Sequence, residues 1–145
     1  MIERSEVLEN LRPAMYWAST MALEVQSVAR GDYSGHTNRT NRKLKYKEEM
    51  LNLWGEDVVN KLANLNDLKF SEYCELMQWV YDECQQLWRD GSKLMTPGIE
   101  DVYFWVGEVK MTLDRTRTLI IALGRYDVDS IMQELAMEHL GVNRC

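Results

Sequence analysis

Residues 96–124, TPGIEDVYFWVGEVKMTLDRTRTLIIALG, predict one long amphipathic helix and decide the fold class. Thr96 is a residue type that caps helices, Pro97 suits the first helical position, and Gly124 is a common stop signal. Between these ends, apolar residues and one threonine recur at helical spacing and predict a buried stripe. The stripe comprises Ile99, Val102, Val106, Val109, Leu113, Thr116, Ile120 and Leu123.

A second side of this helix is also apolar, since it carries Phe104, Met111 and Ala122. A helix that is apolar on two sides usually packs between other helices or lies at a subunit contact. We therefore expect Phe104 and Met111 to contact a second copy of the chain in a homodimer.

Periodic apolar positions continue through the rest of the chain, and no segment shows the alternation of a strand. The first further helix is predicted from Leu11 to Ala29, with Asn10 as its cap and Pro13 in its first turn. The second is predicted from an Asn41 cap to Leu65, and the third from a Ser71 or Asp67 cap to Arg89. A short last helix is predicted after a cap at Asp127 or Asp129. Gly55 falls inside the second of these and marks a kink, a close contact or a break into two helices. Residues 31–41, GDYSGHTNRTN, lack an apolar period and predict a mobile loop.

Length and composition fit a single domain. The chain has 145 residues, and 46% of them are hydrophobic, which is enough to build one packed core. The prediction is therefore one all-α domain over residues 1–145, a bundle of four long helices plus a short C-terminal helix. No apolar run approaches the ~18 residues of a membrane span, and the charged start lacks a signal peptide's apolar centre. We expect a cytoplasmic protein with no membrane contact.

The residues that would support common catalytic chemistries are absent. The chain has two histidines and three cysteines, without Cys-x-x-Cys, Glu-x-x-His, a phosphate-binding loop or a Gly-x-Ser-x-Gly motif. We predict no catalytic residue and no cofactor, and we interpret Cys74 and Cys84 as buried small hydrophobes. One magnesium-based alternative stays open, because all-α nucleotide pyrophosphohydrolases hold Mg²⁺ with paired carboxylates on neighbouring helices. The candidate ligands are Glu48, Glu49, Glu72 and Glu75.

Charge is distributed unevenly along the chain. The net charge is −6, yet residues 30–47 carry six basic side chains against Asp32 alone. Arginine and lysine interleaved with asparagine and threonine are typical donors to phosphate oxygens. The candidate nucleic-acid-binding or polyanion-binding residues are Arg39, Arg42, Lys43, Lys45 and Lys47.

The predicted third helix presents an acidic side in which a tryptophan is embedded. A step of ~100° per residue places Trp79 among Glu75, Asp82 and Glu83, and away from the apolar side. An exposed indole at such a position is typical of an interface anchor, because tryptophan is enriched among binding hot spots. The candidate protein-binding residues are therefore Glu75, Trp79, Asp82 and Glu83.

Three functions follow from these patterns, in order of preference. The first is a small non-enzymatic adaptor or inhibitor that binds a protein partner, a type common among phage and mobile-element accessory proteins. The second is a nucleic-acid-binding or polyanion-binding module that uses residues 30–47. The third is a Mg²⁺-dependent nucleotide pyrophosphohydrolase.

Overall fold

The structure is a computed structural model that describes residues 3–31, 37–124 and 127–141, with side chains throughout except at 37–44 and 92. The described residues form six α-helices and two short 3-10 turns, with no strand, so the fold is all-α as predicted. The helices are α1 (Arg4–Arg30), α2 (Thr37–Trp54), α3 (Glu56–Ala63), α4 (Phe70–Asp90), α5 (Pro97–Leu123) and α6 (Val128–His139). None of them is both long enough and apolar enough to cross a bilayer.

Helix α5 begins and ends where the sequence predicts. The Thr96 hydroxyl accepts a hydrogen bond from the Ile99 backbone N–H at 3.4 Å, and Gly124 ends the helix in a left-handed conformation with φ 73°. The predicted stripe is buried along its length except at Leu123, which is exposed at the last turn. This helix packs most extensively on α1 and also on α4, α2 and α6, so it holds a central position.

The prediction of an Asn10 cap for the first long helix is wrong, because α1 is continuous from Arg4 to Arg30 with Pro13 inside it. A proline removes one helical N–H, but Pro13 faces solvent, where water can satisfy the carbonyl oxygen that this N–H would have bonded. The turns before it are held by burial of Val7 and Leu8. We infer that this burial outweighs the cost of the proline.

The second predicted helix starts earlier than expected and is divided. Helix α2 already includes Thr37, so residues 37–41 are helical and Asn41 is not a cap; residues 32–36 lie outside the described residues. Gly55 has φ 88°, a value that L side chains rarely adopt, and it separates α2 from α3. Of the kink, the close contact and the break that Gly55 indicates, the structure contains the break.

The predicted caps of the third helix are also wrong. Helix α4 starts at Phe70 after Lys69, without a side-chain cap, while Ser71 lies inside the first turn and Asp67 belongs to the 3-10 turn Leu65–Asp67. Burial of Phe70 fixes this start instead.

Helix α6 is capped by Asp127, whose carboxylate accepts from the Ser130 backbone N–H at 3.2 Å. Two ion pairs join α6 to α1: Arg4 with Glu134 at 2.6 Å and Arg12 with Glu138 at 3.0 Å. The Arg12 guanidinium donates to Glu138 and lowers the pKa of that carboxyl. Glu138 therefore stays ionised to a lower pH than an unpaired glutamate does.

Candidate protein-interaction surface

Helix α4 is flanked by two grooves that meet at one residue pair. The first groove lies between α4 and α5 and has a volume of about 470 Å³; the second lies between α3 and α4 and has a volume of about 430 Å³. Trp79 and Glu75 line both grooves. Helix α4 packs chiefly on α5, and its other side, where Glu75 and Trp79 lie, is more open. We call Glu72, Glu75, Trp79 and Asp82, with the two grooves, the Trp79 surface.

Trp79 is held in position although its indole is accessible. Its side chain is 40% exposed, and one edge packs against Trp54 at the end of α2, with ring centroids 6.4 Å apart and planes at 77°. Edge-to-face aromatic pairs of this kind restrict the ring without burying it. The indole therefore forms an oriented apolar ridge between the grooves, which is the form expected of an interface anchor.

The cations around the first groove are neutralised by neighbouring carboxylates. Lys110 donates to Asp114 at 3.0 Å and lies over the Tyr81 ring, and Arg117 donates to Asp129 at 2.8 Å. The hydrogen bond to Asp114 is the main reason that the pKa of Lys110 is raised, so this ammonium stays charged. Both cations are therefore engaged by carboxylates of α5 and α6, and Lys110 also attracts Asp82 of α4. Among the described residues, no ion pair engages Glu75 of α4.

The carboxylates of α4 are correspondingly available to a partner. Asp82 accepts one hydrogen bond, from Gln78 at 2.9 Å, and Glu75 has no ion pair with any side chain that the structure describes. Among the described residues that line the second groove, Lys61 is the one cation, and Glu72 and Glu75 line the same groove. The Trp79 surface thus combines an apolar ridge with a rim of excess negative charge.

The structure brings three of the four predicted protein-binding residues together. Glu75, Trp79 and Asp82 share the first groove, whereas Glu83 is half-buried and lines neither groove. The sequence reasoning did not assign Lys110, Asp114 and Arg117 of α5, or Trp54 of α2, to this surface. The first three occupy the polar strip of α5, which is the only sequence signal that could have indicated them.

Helical spacing predicts that Trp88 shares the apolar side of α4 with Tyr73, Leu76, Met77, Val80, Tyr81, Cys84 and Leu87. This prediction is wrong for Trp88, which lies in the last turn of α4 and is 56% exposed. Trp88 lines neither of the two grooves that flank Trp79. It therefore serves as a matched control for Trp79.

The two cysteines of α4 differ in accessibility. Cys84 is buried, as predicted, and burial raises the pKa of its thiol to about 12, whereas Cys74 is only half-buried and lines the first groove. The raised pKa keeps the Cys84 thiol protonated at pH 8, and the thiolate is the reactive form.

We expect iodoacetamide at pH 8 to modify Cys74 at least ~100-fold faster than Cys84 in the folded protein, because Cys74 lines a groove whereas Cys84 is buried. Peptide mass spectrometry of timed samples measures both rates in one experiment. Equal rates in the folded protein would contradict this burial pattern, and addition of urea provides the unfolded reference.

The four carboxylates of the magnesium hypothesis are not gathered into one site. Glu49 accepts a hydrogen bond from the Thr96 hydroxyl at 2.6 Å at the start of α5, whereas Glu72 and Glu75 line the groove beside α3. Among the described residues, no three Asp, Glu, His or Cys side chains form a group that could hold a metal ion. This arrangement gives the hydrolase hypothesis no structural support.

The basic stretch is described only in part. Arg30 donates to the Ala63 carbonyl oxygen at 2.6 Å and so joins the end of α1 to the end of α3. Lys45 is exposed and Lys47 is half-buried, while the side chains of Arg39, Arg42 and Lys43 lie outside the described residues. Polyanion binding by this stretch stays a prediction.

The two residues predicted at an oligomer contact are both accessible. Phe104 is 58% exposed and Met111 is 41% exposed on the outward face of α5.

Comparisons with protein-family models, with curated proteins and with solved structures found no match to this chain.

Proposed function

We propose that this chain is a non-enzymatic cytoplasmic interaction protein, an adaptor or inhibitor, that binds a protein partner through the Trp79 surface. The observation that carries the proposal is the position of Trp79, an oriented and accessible indole between two grooves. A tryptophan with this exposure contributes strongly to binding only when a partner encloses it, because the gain comes from removing its apolar area from water.

The charge around Trp79 indicates the chemistry of the partner. Glu72, Glu75 and Asp82 lie beside the indole, while Lys110 and Arg117 are already paired within the chain. A complementary partner offers an apolar pocket or cleft for the indole, with lysine or arginine side chains at its edge. Rim charges of this type act mainly on the association rate and on partner selection.

The proposal is tested by differential capture from a lysate of the source organism. Three immobilised baits are compared by quantitative mass spectrometry: the unaltered chain, Trp79→Ala and Trp88→Ala. Both variants remove one exposed tryptophan from α4, so they differ only in whether the lost indole lies between the grooves. We expect a partner that the unaltered chain and Trp88→Ala retain and that Trp79→Ala loses.

Cys74 provides a second and independent readout, because it lines the first groove. Bound partner should protect Cys74 from iodoacetamide, whereas a partner bound elsewhere should leave its alkylation rate unchanged. If every captured protein binds all three baits equally and Cys74 stays reactive, the Trp79 surface is not the binding site.

A further inference from the structure

The outward face of α5 is a second accessible surface, separate from the Trp79 surface. Helix α5 contacts α4 through Tyr103 and Lys110, both of which lie against the Tyr81 ring, and contacts α1 where Glu108 accepts from Trp17. Between these two contact lines, five exposed residues follow at intervals of seven, four, three and four, so they share one face. This outer stripe of α5 comprises Phe104, Met111, Arg115, Thr118 and Ala122.

Two opposite charges flank the middle of the outer stripe. Glu108 precedes Met111 by three residues and Arg115 follows it by four, so the two charges are nearly equidistant from Met111 along the helix. Glu108 accepts the Trp17 indole N–H through Oε2 at 3.1 Å, which orients the carboxylate and leaves Oε1 able to accept from another donor. Arg115 is exposed and has no ion pair with any described side chain.

We infer that the outer stripe binds a second copy of this chain, with the two α5 helices antiparallel about a two-fold axis at Met111. In this arrangement Glu108 of each copy faces the partner's Arg115, which gives two identical ion pairs on either side of the axis. A two-fold interface requires such self-complementarity, since every contact between two residues occurs twice. An unrelated partner would impose no symmetric placement of opposite charges.

The apolar residues of the stripe match the same pairing. Phe104 precedes Met111 by seven residues and Thr118 follows it by seven, so each Phe104 ring lies opposite the partner's Thr118. The Thr118 hydroxyl donates to the Asp114 carbonyl oxygen of its own helix at 2.9 Å, which satisfies the hydroxyl and leaves the methyl group for packing. Ala122 allows the helices to approach closely, and Trp17, 45% exposed, borders the contact beside Glu108.

Sedimentation equilibrium at chain concentrations between 1 and 100 µM tests the inference. This range extends about tenfold below and above a dissociation constant of about 10 µM. We expect a species of about 34 kDa, twice the chain mass of 17.1 kDa. Met111→Glu places two carboxylates at the axis and should weaken the dimer at least ~100-fold. The control Ile121→Glu changes an apolar residue of α5 that is more exposed than Met111 and lies outside the stripe, and it should leave the mass unchanged.

A charge reversal then tests the proposed pairing itself. Arg115→Glu alone places like charges opposite each other and should weaken the dimer ~30-fold or more. Adding Glu108→Arg exchanges the two charges and should restore most of the affinity, because each arginine again faces a glutamate. Circular dichroism confirms that each variant is folded before its molar mass is determined by sedimentation.

Three results would overturn the inference. A monomer of the unaltered chain throughout the concentration range would exclude the dimer. A dimer that Met111→Glu leaves intact would use another surface, and failure of the double exchange to recover affinity would exclude the antiparallel pairing. Each result leaves the Trp79 surface unaffected, since Met111, Glu108 and Arg115 line neither of its grooves.

Discussion

Alanine at Gly98 should lower the melting temperature by roughly 8 °C, whereas alanine at Gly107 in the same helix should leave it unchanged or raise it by a few degrees. Both glycines are buried in α5. They differ in the space available for a Cβ atom, and this space determines whether alanine lowers or raises the melting temperature.

At Gly98 a Cβ atom would fall on the Tyr46 ring and on the Glu49 carboxylate, both of which belong to α2. The ring is buried and the carboxylate accepts from Thr96, so neither group can move without loss of a packing contact or a hydrogen bond. Overpacking of this kind costs about 2 kcal/mol of the free energy of unfolding. The helix-propensity gain is small at this position, in the first turn.

At Gly107 the nearest atom to a new Cβ would be a Tyr81 ring carbon at 3.5 Å, an ordinary van der Waals contact. Alanine within a helix is favoured over glycine by up to ~1 kcal/mol, so this variant is a matched control with the opposite expectation. Thermal unfolding followed by circular dichroism measures both. Equal melting temperatures for the two variants would contradict the close contact between α2 and the start of α5.

Trp79→Ala should weaken binding of the purified partner at least ~30-fold, which corresponds to about 2 kcal/mol and is typical of an interface anchor. The variant should remain folded, with a loss of about 1 kcal/mol in the free energy of unfolding from the missing Trp54 contact. Isothermal titration calorimetry gives the affinity, and Trp88→Ala should change it less than ~3-fold because Trp88 lies outside both grooves.

The carboxylates around Trp79 should behave differently from the indole. Changing Glu75 and Asp82 to their amides should slow association and reduce its salt dependence, with a smaller effect on dissociation. Stopped-flow or surface-plasmon measurements at two salt concentrations separate these rates.

If Trp79→Ala unfolds, the indole belongs to the core and the anchor assignment is wrong. If binding survives Trp79→Ala but is lost when Arg39, Arg42 and Lys43 are neutralised together, the basic stretch is the functional surface.

Helical periodicity was sufficient to predict the all-α fold and the burial pattern of α5, because Thr96, Pro97 and Gly124 are local signals whose effects do not depend on distant residues. It also identified Trp79 as an outlier from the apolar side of α4. The predicted start of α1 was wrong because Pro13 and Asn10 were weighed as local signals. Burial of Val7 and Leu8 and the ion pairs to α6 are tertiary effects that local signals do not contain.

The partners of Trp79 in other helices could not be predicted for the same reason. The Trp54 contact depends on the break at Gly55 and on how α2 approaches α4. The neutralising pairs Lys110–Asp114 and Arg117–Asp129 join the groove only because α5 packs beside α4. Likewise, periodicity alone does not show which turns of α4 other elements cover, so the 56% exposure of Trp88 could not be predicted.

Helix α5 contributes to two surfaces on adjacent faces, since Lys110, Asp114 and Arg117 line the first groove while Met111 and Arg115 are exposed on the outer stripe. In the dimer inferred above, one rigid helix pair therefore fixes the spacing of two Trp79 surfaces. A partner that displays its binding segment twice at a matching span would engage both surfaces, and the second contact would form at a high effective concentration. A modest affinity at each surface then becomes strong avidity for a multivalent partner, with little gain for a monomeric one.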